Sequence, residues 1–468
     1  MYLFVNIAVI PRAGYHWDET LDFSGEGWET YIANGRWGLA LWKHIFGMGA
    51  SPWTAGIFAG LLISATLILQ LRILAIKESF QAIAFGAFTL FMPQFSRMLS
   101  YSIQSDAIAG GMLLCSLSVM MMIKSSGKKY INKLLSLLSG AALLAIAVGI
   151  YQTLALYFSI LTLGYVLYHI KSIHLWRLIL KYIVVLTISM LTYAIAKKIS
   201  LSVIDIHAGI LKQFEEGQES MLNNPILNPE GVMQIVMFTA HYAKLMLWNC
   251  FIPTYAGEEI YISTVVPVIG LLICSVMQKN GVKRKLLLWG VILLIWVAPF
   301  SMYIVLGNTW PCGPHTRLSE PLAMGMLWVA FLTKLHNTPS VKYIFAGLLL
   351  ICGVRASNTV STYAKIERAH FEKRLIARSI QIKEALEIAH QNHIPSDKLK
   401  ILYLRSGSEK TNLYVDFGVA YPALSAAHSV QTPDYAKYKA ELDSMPIWPA
   451  PGSIKCVENI VLIKGTDY

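Results

Sequence analysis

Charged residues are scarce in this chain: Asp, Glu, Lys and Arg make up 14% of its 468 residues, against a usual share of about 25%. Hydrophobic residues make up 55%, and several apolar runs approach the ~20 residues that cross a bilayer core. This composition excludes an ordinary soluble globular protein. The sequence therefore predicts a polytopic α-helical membrane protein.

The motifs of nucleotide-dependent and metal-dependent enzymes are also missing. No Walker motif, dinucleotide-binding glycine fingerprint, HExxH or GxSxG pattern occurs, and the N-terminal loop has no DxD. The six cysteines have no CxxC or metal-ligand spacing, so we predict no metal site. The net charge of +12 comes from short basic clusters between apolar runs, a pattern typical of topology determinants rather than of nucleic-acid binding.

Ten apolar runs are predicted to span the membrane, and residues 1–10 would be the end of a further span. Because ten residues are too few to cross alone, we expect either a distorted bilayer there or a chain that begins downstream of the ancestral start. Basic clusters mark alternate connections as cytoplasmic, which gives about eleven crossings with the N-terminus inside and the C-terminus outside. The ten runs are 55–74, 80–95, 107–123, 134–150, 153–170, 178–196, 261–277, 286–306, 322–333 and 341–354.

Two domains follow from this pattern. Residues 1–355 are predicted to form the multi-span domain, with an outward loop at 11–38 and a segment at 199–258 in or on the outer interface. A crossing within 232–251 is the alternative, although it would invert the charge pattern. Residues 356–468 are predicted to form a small outward-facing α/β domain, with a long amphipathic helix followed by short strands. That helix is predicted over 357–393, and the strands at 400–404 and 459–463.

An acidic loop with aromatic neighbours follows the first apolar run. Adjacent carboxylates repel, which raises the pKa of one of them, so that Asp18 or Glu19 could accept a proton from a sugar hydroxyl. The alternative is a hydrated loop that caps a helix or balances a nearby arginine. Five of the 27 acids lie in this loop, namely Asp18, Glu19, Asp22, Glu26 and Glu29.

Arg36 and Trp37 open a short apolar helix that is predicted over 39–46. The planar guanidinium of Arg36 could bind a phosphate with two parallel hydrogen bonds. An interfacial arginine whose side chain reaches toward the headgroups, beside a tryptophan anchor, is the alternative.

Polar residues recur at the other predicted outward turns. Arg97 and Asp106 bracket one loop, and Asp106 is interpreted first as a helix cap favoured by the helix dipole and second as another site carboxylate. Tyr151 and Gln152 form either a plain turn or the lining of a cavity.

The outward loop at 307–320 carries His315 and Arg317 among rigid prolines. Arg317 is the best candidate for a lipid-phosphate clamp, because arginine binds phosphate through charge-assisted, bidentate hydrogen bonds. A pair between Arg317 and Glu320 is the structural alternative.

In their order along the chain, these segments resemble the membrane-integral glucosyltransferases that modify bacterial O-antigen, a serotype-converting, Gtr type II-like family of the GT-C superfamily. The resemblance covers most of the chain, although the C-terminal domain matches only in placement. The residues that carry it are Asp18, Glu19, Gly35, Arg36, Trp37, Tyr151, Gln152 and Arg317.

The resemblance implies an inverting hexosyltransferase of the bacterial inner membrane, with its active site and C-terminus in the periplasm. The donor would be polyprenyl-phosphate-glucose and the acceptor the O-antigen of lipopolysaccharide, with a donor-synthesising glucosyltransferase and a flippase acting upstream. The family's catalytic acid maps to Asp18, with Glu19 as a candidate partner, and its phosphate-binding residues map to Arg36 and Arg317. The short first helix departs from the family pattern and puts the anchoring of the Asp18 loop in question. Dependence on a divalent metal stays open.

Two other functions fit parts of the pattern. A transporter or flippase for lipid-linked oligosaccharides should place polar residues near the middle of its spans, where this sequence has few ionisable ones. An O-antigen polymerase or ligase would have its active site on the same side of the membrane but would act on a different substrate.

Overall fold

The computed structural model has two compact units, a helical one within residues 31–354 and a smaller one within 380–465. The described residues are 31–46, 52–90, 102–125, 130–170, 174–203, 237, 254–256, 259–261, 265–277, 281–300, 318–335, 343–347, 349–351, 354, 380–381, 383–393, 400–405, 441, 444–447, 449–457 and 460–465.

Apolar helices dominate the larger unit. Their order along the chain is α1 (Trp37–Phe46), α2 (Pro52–Ile73), α3 (Ser79–Leu90), α4 (Ser102–Lys124), α5 (Tyr130–Ile150), α6 (Leu154–His169), α7 (Leu175–Val203), α8 (Val265–Met277), α9 (Val282–Val297) and α10 (Ser319–Lys334).

Four of the described helices are long and apolar enough to cross a membrane: Thr54–Ile73, Gln104–Lys124, Ile131–Ile150 and Leu175–Val203. They confirm four of the predicted spans and make this a membrane protein. The other described helices are shorter, at 10 to 16 residues. The total of about eleven crossings and their orientation stay predictions.

The structure corrects several boundaries. Helix α7 continues to Val203, so the first residues of the predicted interfacial segment belong to it. The span predicted from residue 261 does not begin as a helix there, because Tyr261 belongs to Glu259–Tyr261 (β2), which pairs antiparallel with Thr254–Ala256 (β1). Helix α8 is described from Val265. Helix α9 ends at Val297, and a short 3₁₀ turn containing Pro299 follows, since proline cannot continue the hydrogen-bonding pattern of an α-helix.

Helix α4 is central to the larger unit. It packs against α2 on one side and α5 on the other, and α5 in turn contacts α7. Small residues let these helices approach closely, as membrane helices commonly require: the Ser118 hydroxyl on α4 donates a hydrogen bond of 2.7 Å to the carbonyl of Gly140 on α5. Helix α1 and the turn before it contact three of these helices. The contacts lie near Asp106 of α4, Ile150 of α5 and Tyr193 of α7.

The smaller unit contains a three-stranded sheet in the order β3-β5-β4, formed by Lys400–Arg405 (β3), Ile454–Val457 (β4) and Ile460–Gly465 (β5). Strands β3 and β5 are parallel and confirm the two predicted strands, whereas the antiparallel β4 was not predicted. Ala385 and Ala389, from the described part of the predicted amphipathic helix, pack on the sheet. The unit is therefore α/β, as the sequence indicates.

Candidate functional site

The structure describes half of the predicted site residues. Those that it describes are Arg36, Trp37, Asp106, Tyr151 and Gln152. Those that lie outside the described residues are Asp18, Glu19, Arg97, His315 and Arg317. The functional roles assigned to all ten stay predictions.

A glycine turn places Arg36 directly before α1. Gly35 has a φ of +73°, a left-handed conformation that glycine adopts at little cost. A side chain at this position would also meet the Tyr193 hydroxyl of α7 at 2.6 Å and Lys197 at 3.3 Å. The turn therefore requires glycine both for its backbone and for the close approach of α7.

The Arg36 guanidinium lies over an aromatic ring from another part of the chain. Its Cζ atom is 4.9 Å from the centroid of the Tyr151 ring, which is within the range of a cation–π interaction. Tyr151 is buried and begins the turn between α5 and α6, whereas Arg36 is half-buried. A guanidinium held in this way can still donate hydrogen bonds from its edges to an anion.

Gln152 ties the two turns together. Its side-chain amide donates a hydrogen bond of 2.8 Å to the carbonyl of Asn34 and one of 3.3 Å to the Tyr193 hydroxyl. The alternatives for Tyr151 and Gln152 were a plain turn and a cavity lining. What the structure adds is that both residues contact the segment that carries Arg36.

Helix α1 sits very close to α5. A side chain at Gly38 would lie 2.7 Å from the carbonyl oxygen of Ile146, and the Trp37 ring fills the space that a side chain at Gly149 would need. The indole nitrogen of Trp37 is buried and has no hydrogen-bond partner among the residues that the structure describes. Trp37 therefore packs between helices, in addition to any contact with substrate.

Asp106 forms a buried ion pair. Its Oδ1 atom is 2.9 Å from the Lys43 ammonium, and its Oδ2 atom accepts a hydrogen bond of 2.9 Å from the Trp42 indole nitrogen. Lys43 is 0% exposed and Asp106 is 4% exposed. Because α4 begins at Ser102, four residues earlier, Asp106 lies inside the helix, and its interpretation as a helix cap is wrong.

Sequence reasoning missed Lys43 and two residues of α7. Lys43 could have been found, because an ionisable residue inside an apolar helix needs a partner. Tyr193 and Lys197 both contact Gly35 and are one helical turn apart. Only the fold brings them to the Gly35 turn that precedes Arg36.

The opposite end of the larger unit is basic. The Lys181 ammonium is 3.4 Å from the carbonyl of Met122, near the C-terminal end of α4, and Lys133 and Arg177 are close enough to repel it. Asp106 lies near the other end of α4, ~24 Å away along the helix axis. Basic residues therefore occur at both ends: Lys133, Arg177 and Lys181 lie at one, and Arg36, Lys43 and Lys197 lie at the other together with the Asp106 carboxylate.

No metal site occurs among the described residues, where no group of three or more His, Cys, Asp or Glu side chains could hold an ion. The site has cations, amides and aromatic rings instead. Phosphate and sugar are the chemical groups that such side chains bind best.

The fold and this polar end define an α-helical membrane protein with a candidate site for an anionic ligand. A family model described as glucosyl transferase GtrII matches residues 14–332. The chain belongs to this glucosyltransferase family, which implies a glycosyltransferase. The matched region contains all ten predicted site residues. No curated protein and no solved structure matches the chain.

Proposed function

We propose that this protein transfers glucose, or another hexose, from a polyprenyl-phosphate donor to the O-antigen of lipopolysaccharide at the periplasmic face of the bacterial inner membrane. Family membership supports the transfer of a sugar. The observation that carries the lipid-phosphate donor is the Arg36 guanidinium, held over Tyr151 at the end of the helices opposite the basic cluster.

The clusters of basic residues at alternate connections in the sequence support the side of the membrane. By the positive-inside rule, they assign the end with Lys124, Lys133, Arg177 and Lys181 to the cytoplasm. Arg36 then lies toward the periplasm, where nucleotide-sugars are scarce and a lipid-linked sugar is the donor that remains. The proposal therefore needs no nucleotide site and no metal that binds a nucleotide.

The proposed reaction is a single displacement with inversion. Asp18 removes the proton from the acceptor hydroxyl, and the resulting oxygen attacks the anomeric carbon of the donor sugar. The bond from that carbon to the phosphate oxygen breaks as the new glycosidic bond forms. Polyprenyl phosphate leaves with the bonding electrons, and the proton stays on Asp18, with Glu19 as its candidate partner.

The cations stabilise the leaving group. Negative charge grows on the phosphate in the transition state, and a guanidinium that is already in place stabilises it without reorganisation. We assign this role to Arg36 and to Arg317, with His315 and Arg97 as further polar contacts. Trp37 and Tyr151 offer aromatic faces of the kind that sugar rings pack against.

The test uses membranes that contain the protein and are supplied with polyprenyl-phosphate-glucose and O-antigen acceptor. We expect Asp18→Asn to abolish transfer while the protein stays inserted at its usual abundance. Asp22→Asn, an acid in the same loop without an assigned role, is the matched control. Full activity of Asp18→Asn would remove the mechanism.

A second measurement tests the substrates. Lipopolysaccharide from cells with the protein should carry one extra hexose on the O-antigen repeat compared with cells without it. A change in chain length or in attachment to the lipid, with no added hexose, would indicate a polymerase or ligase instead. If cells without the protein lacked lipid-linked oligosaccharide in the periplasmic leaflet, the result would indicate a transporter.

A further inference from the structure

The most isolated charges among the described residues of the larger unit are Lys43 and Asp106. Both are buried in an otherwise apolar contact between α1 and α4, with 2.9 Å between the Lys43 Nζ and Asp106 Oδ1 atoms. An ion pair removed from water gives a weak net stabilisation, whereas breaking it by removing one partner is strongly destabilising. Such a pair specifies one arrangement of two helices more effectively than it adds stability.

Both oxygens of the Asp106 carboxylate contact donors of the protein itself. Oδ1 contacts the Lys43 ammonium, and Oδ2 accepts the hydrogen bond from the Trp42 indole nitrogen. A general base has to reach the proton that it removes, and both oxygens of Asp106 already face protein donors. Its contacts are those of a residue that fixes geometry.

The geometry that it fixes is that of α1. The Trp42 ring lies on Gly110 of α4, where a side chain would approach within 2.3 Å, and it also contacts the Phe46 and Phe58 rings. Aromatic contacts of this kind hold two helices together but allow them to slide. The ion pair sets the position of α1 along α4.

Arg36 lies at the other end of the same short helix. Seven residues separate it from Lys43, which is ~10 Å along a helix axis. A tilt or slide of α1 at Lys43 therefore moves the guanidinium relative to Tyr151. We propose that Asp106, through Lys43 and Trp42, is a positioning residue that holds α1 so that Arg36 meets the donor phosphate. This inference rests on the proposed function of Arg36.

A double-mutant cycle tests whether Asp106 acts through Arg36. Asp106→Asn should lower kcat/KM for polyprenyl-phosphate-glucose by between ~10-fold and ~100-fold, because small displacements of a binding group have effects of this size. The change should appear in both KM and kcat, since Arg36 contacts the phosphate of the bound donor and stabilises the charge that grows on it in the transition state. In an Arg36→Ala background, Asp106→Asn should cost no more than ~2-fold further. If Asp106→Asn lowered kcat/KM by the same factor with and without Arg36, the two residues would act independently and the proposal would be overturned.

Removing both charges separates stability from positioning. Lys43→Met should impair transfer as Asp106→Asn does, because it leaves a buried charge unpaired. The double variant Lys43→Met with Asp106→Leu has neither buried charge and should reach native abundance. Its transfer should stay at least ~10-fold below that of the native protein, because the apolar contact no longer sets the position of α1. Lys198→Met, an exposed lysine near the same end of α7, is the control and should be unchanged. A double variant with native kcat/KM would overturn the proposal.

A labelling experiment is independent of the donor. Ala40 is buried on α1 at 3% exposure, so a cysteine there should react slowly with a water-soluble maleimide in the native background. Asp106→Asn should speed the labelling of Ala40→Cys at least ~10-fold, the size expected when a buried segment opens more readily. The same protein without Ala40→Cys measures the reaction of the native cysteines. Unchanged labelling would overturn the proposal.

These outcomes distinguish two failures. If the native protein transfers no glucose from polyprenyl-phosphate-glucose, the proposed function is wrong, and labelling still decides whether Asp106 holds α1. If the native protein is active and Asp106 and Arg36 act independently, the positioning role is wrong and the proposed function stands.

Discussion

Lys43, within α1, and Arg36, directly before it, have opposite environments. Lys43 is fully buried and its ammonium contacts the Asp106 carboxylate, whereas Arg36 is half-buried and its described contact is the Tyr151 ring. A buried cation needs an opposite charge, because the free-energy cost of removing it from water otherwise exceeds the free energy of its new contacts. A half-buried arginine over a ring keeps part of its hydration and its hydrogen-bonding edges. The contrast indicates a structural role for Lys43 and a ligand-binding role for Arg36.

Removing each charge in turn tests whether Lys43 and Arg36 contribute differently to stability. Lys43→Met leaves the Asp106 carboxylate buried without its cation and should lower the free energy of unfolding by about 3–5 kcal/mol. Arg36→Met should lower it by about 1 kcal/mol or less, since it removes only a partly exposed cation–π contact. Thermal unfolding of the detergent-purified protein measures both. Equal losses would show that the two environments do not differ in this way.

The two tryptophans of α1 extend the comparison to hydrogen bonds. Trp42→Phe keeps an aromatic ring on Gly110 but removes the bond to the Asp106 carboxylate, which should cost about 1.5–3 kcal/mol. Trp37→Phe removes an indole N–H that is buried without a partner among the described residues, so its loss should be smaller. The same unfolding measurement compares them, and a larger loss for Trp37→Phe would contradict the assignment.

The contact between α1 and α5 can be tested at Gly38. Gly38→Ala places a methyl group 2.7 Å from the carbonyl oxygen of Ile146, and backbone atoms cannot move aside as a flexible side chain can. We expect a loss of about 1–3 kcal/mol from overpacking, measured by unfolding in detergent. Gly290→Ala in α9 is the matched control, because nothing lies within 4 Å of its added carbon. A neutral Gly38→Ala would argue against the close contact.

The smallest expected effect concerns the ring beneath Arg36. Tyr151→Phe keeps the aromatic face, so KM for polyprenyl-phosphate-glucose should stay within ~2-fold of the native value. Tyr151→Leu removes that face and should raise KM by ~2-fold to ~5-fold, the equivalent of about 0.5–1 kcal/mol. Steady-state transfer in membranes measures both variants. Equal KM values for the two variants would show that the aromatic face of Tyr151 does not help Arg36 to bind the donor.

The sequence predicted the helices more successfully than their ends. The runs at 55–74, 107–123, 134–150 and 178–196 are helices in the structure, because long apolar segments must satisfy their backbone hydrogen bonds internally in a membrane. Two of the boundary errors, at residues 261 and 286–306, fall where a strand pair and a proline turn interrupt apolar sequence. Hydropathy does not distinguish these local structures from helix.

The candidate site was only partly predictable. Arg36, Tyr151 and Gln152 were chosen separately from their own neighbours in sequence, and the structure brings them together. Asp106 was interpreted as a cap because its partner, Lys43, lies 63 positions away. Residues of α7 gave no local signal at all, since a tyrosine and a lysine at one helical spacing are common on any helix.

The sequence by itself determined the membrane-spanning helices, the strands β3 and β5, and the clustering of basic residues at alternate connections. These properties depend on hydropathy and local conformational preference, which neighbouring residues decide. The pairing of Lys43 with Asp106 and the position of Arg36 over Tyr151 depend instead on how the helices pack together. Those contacts depend on how closely the helices approach one another, and that approach follows from glycines on different helices, such as Gly38 and Gly149, meeting at the same place.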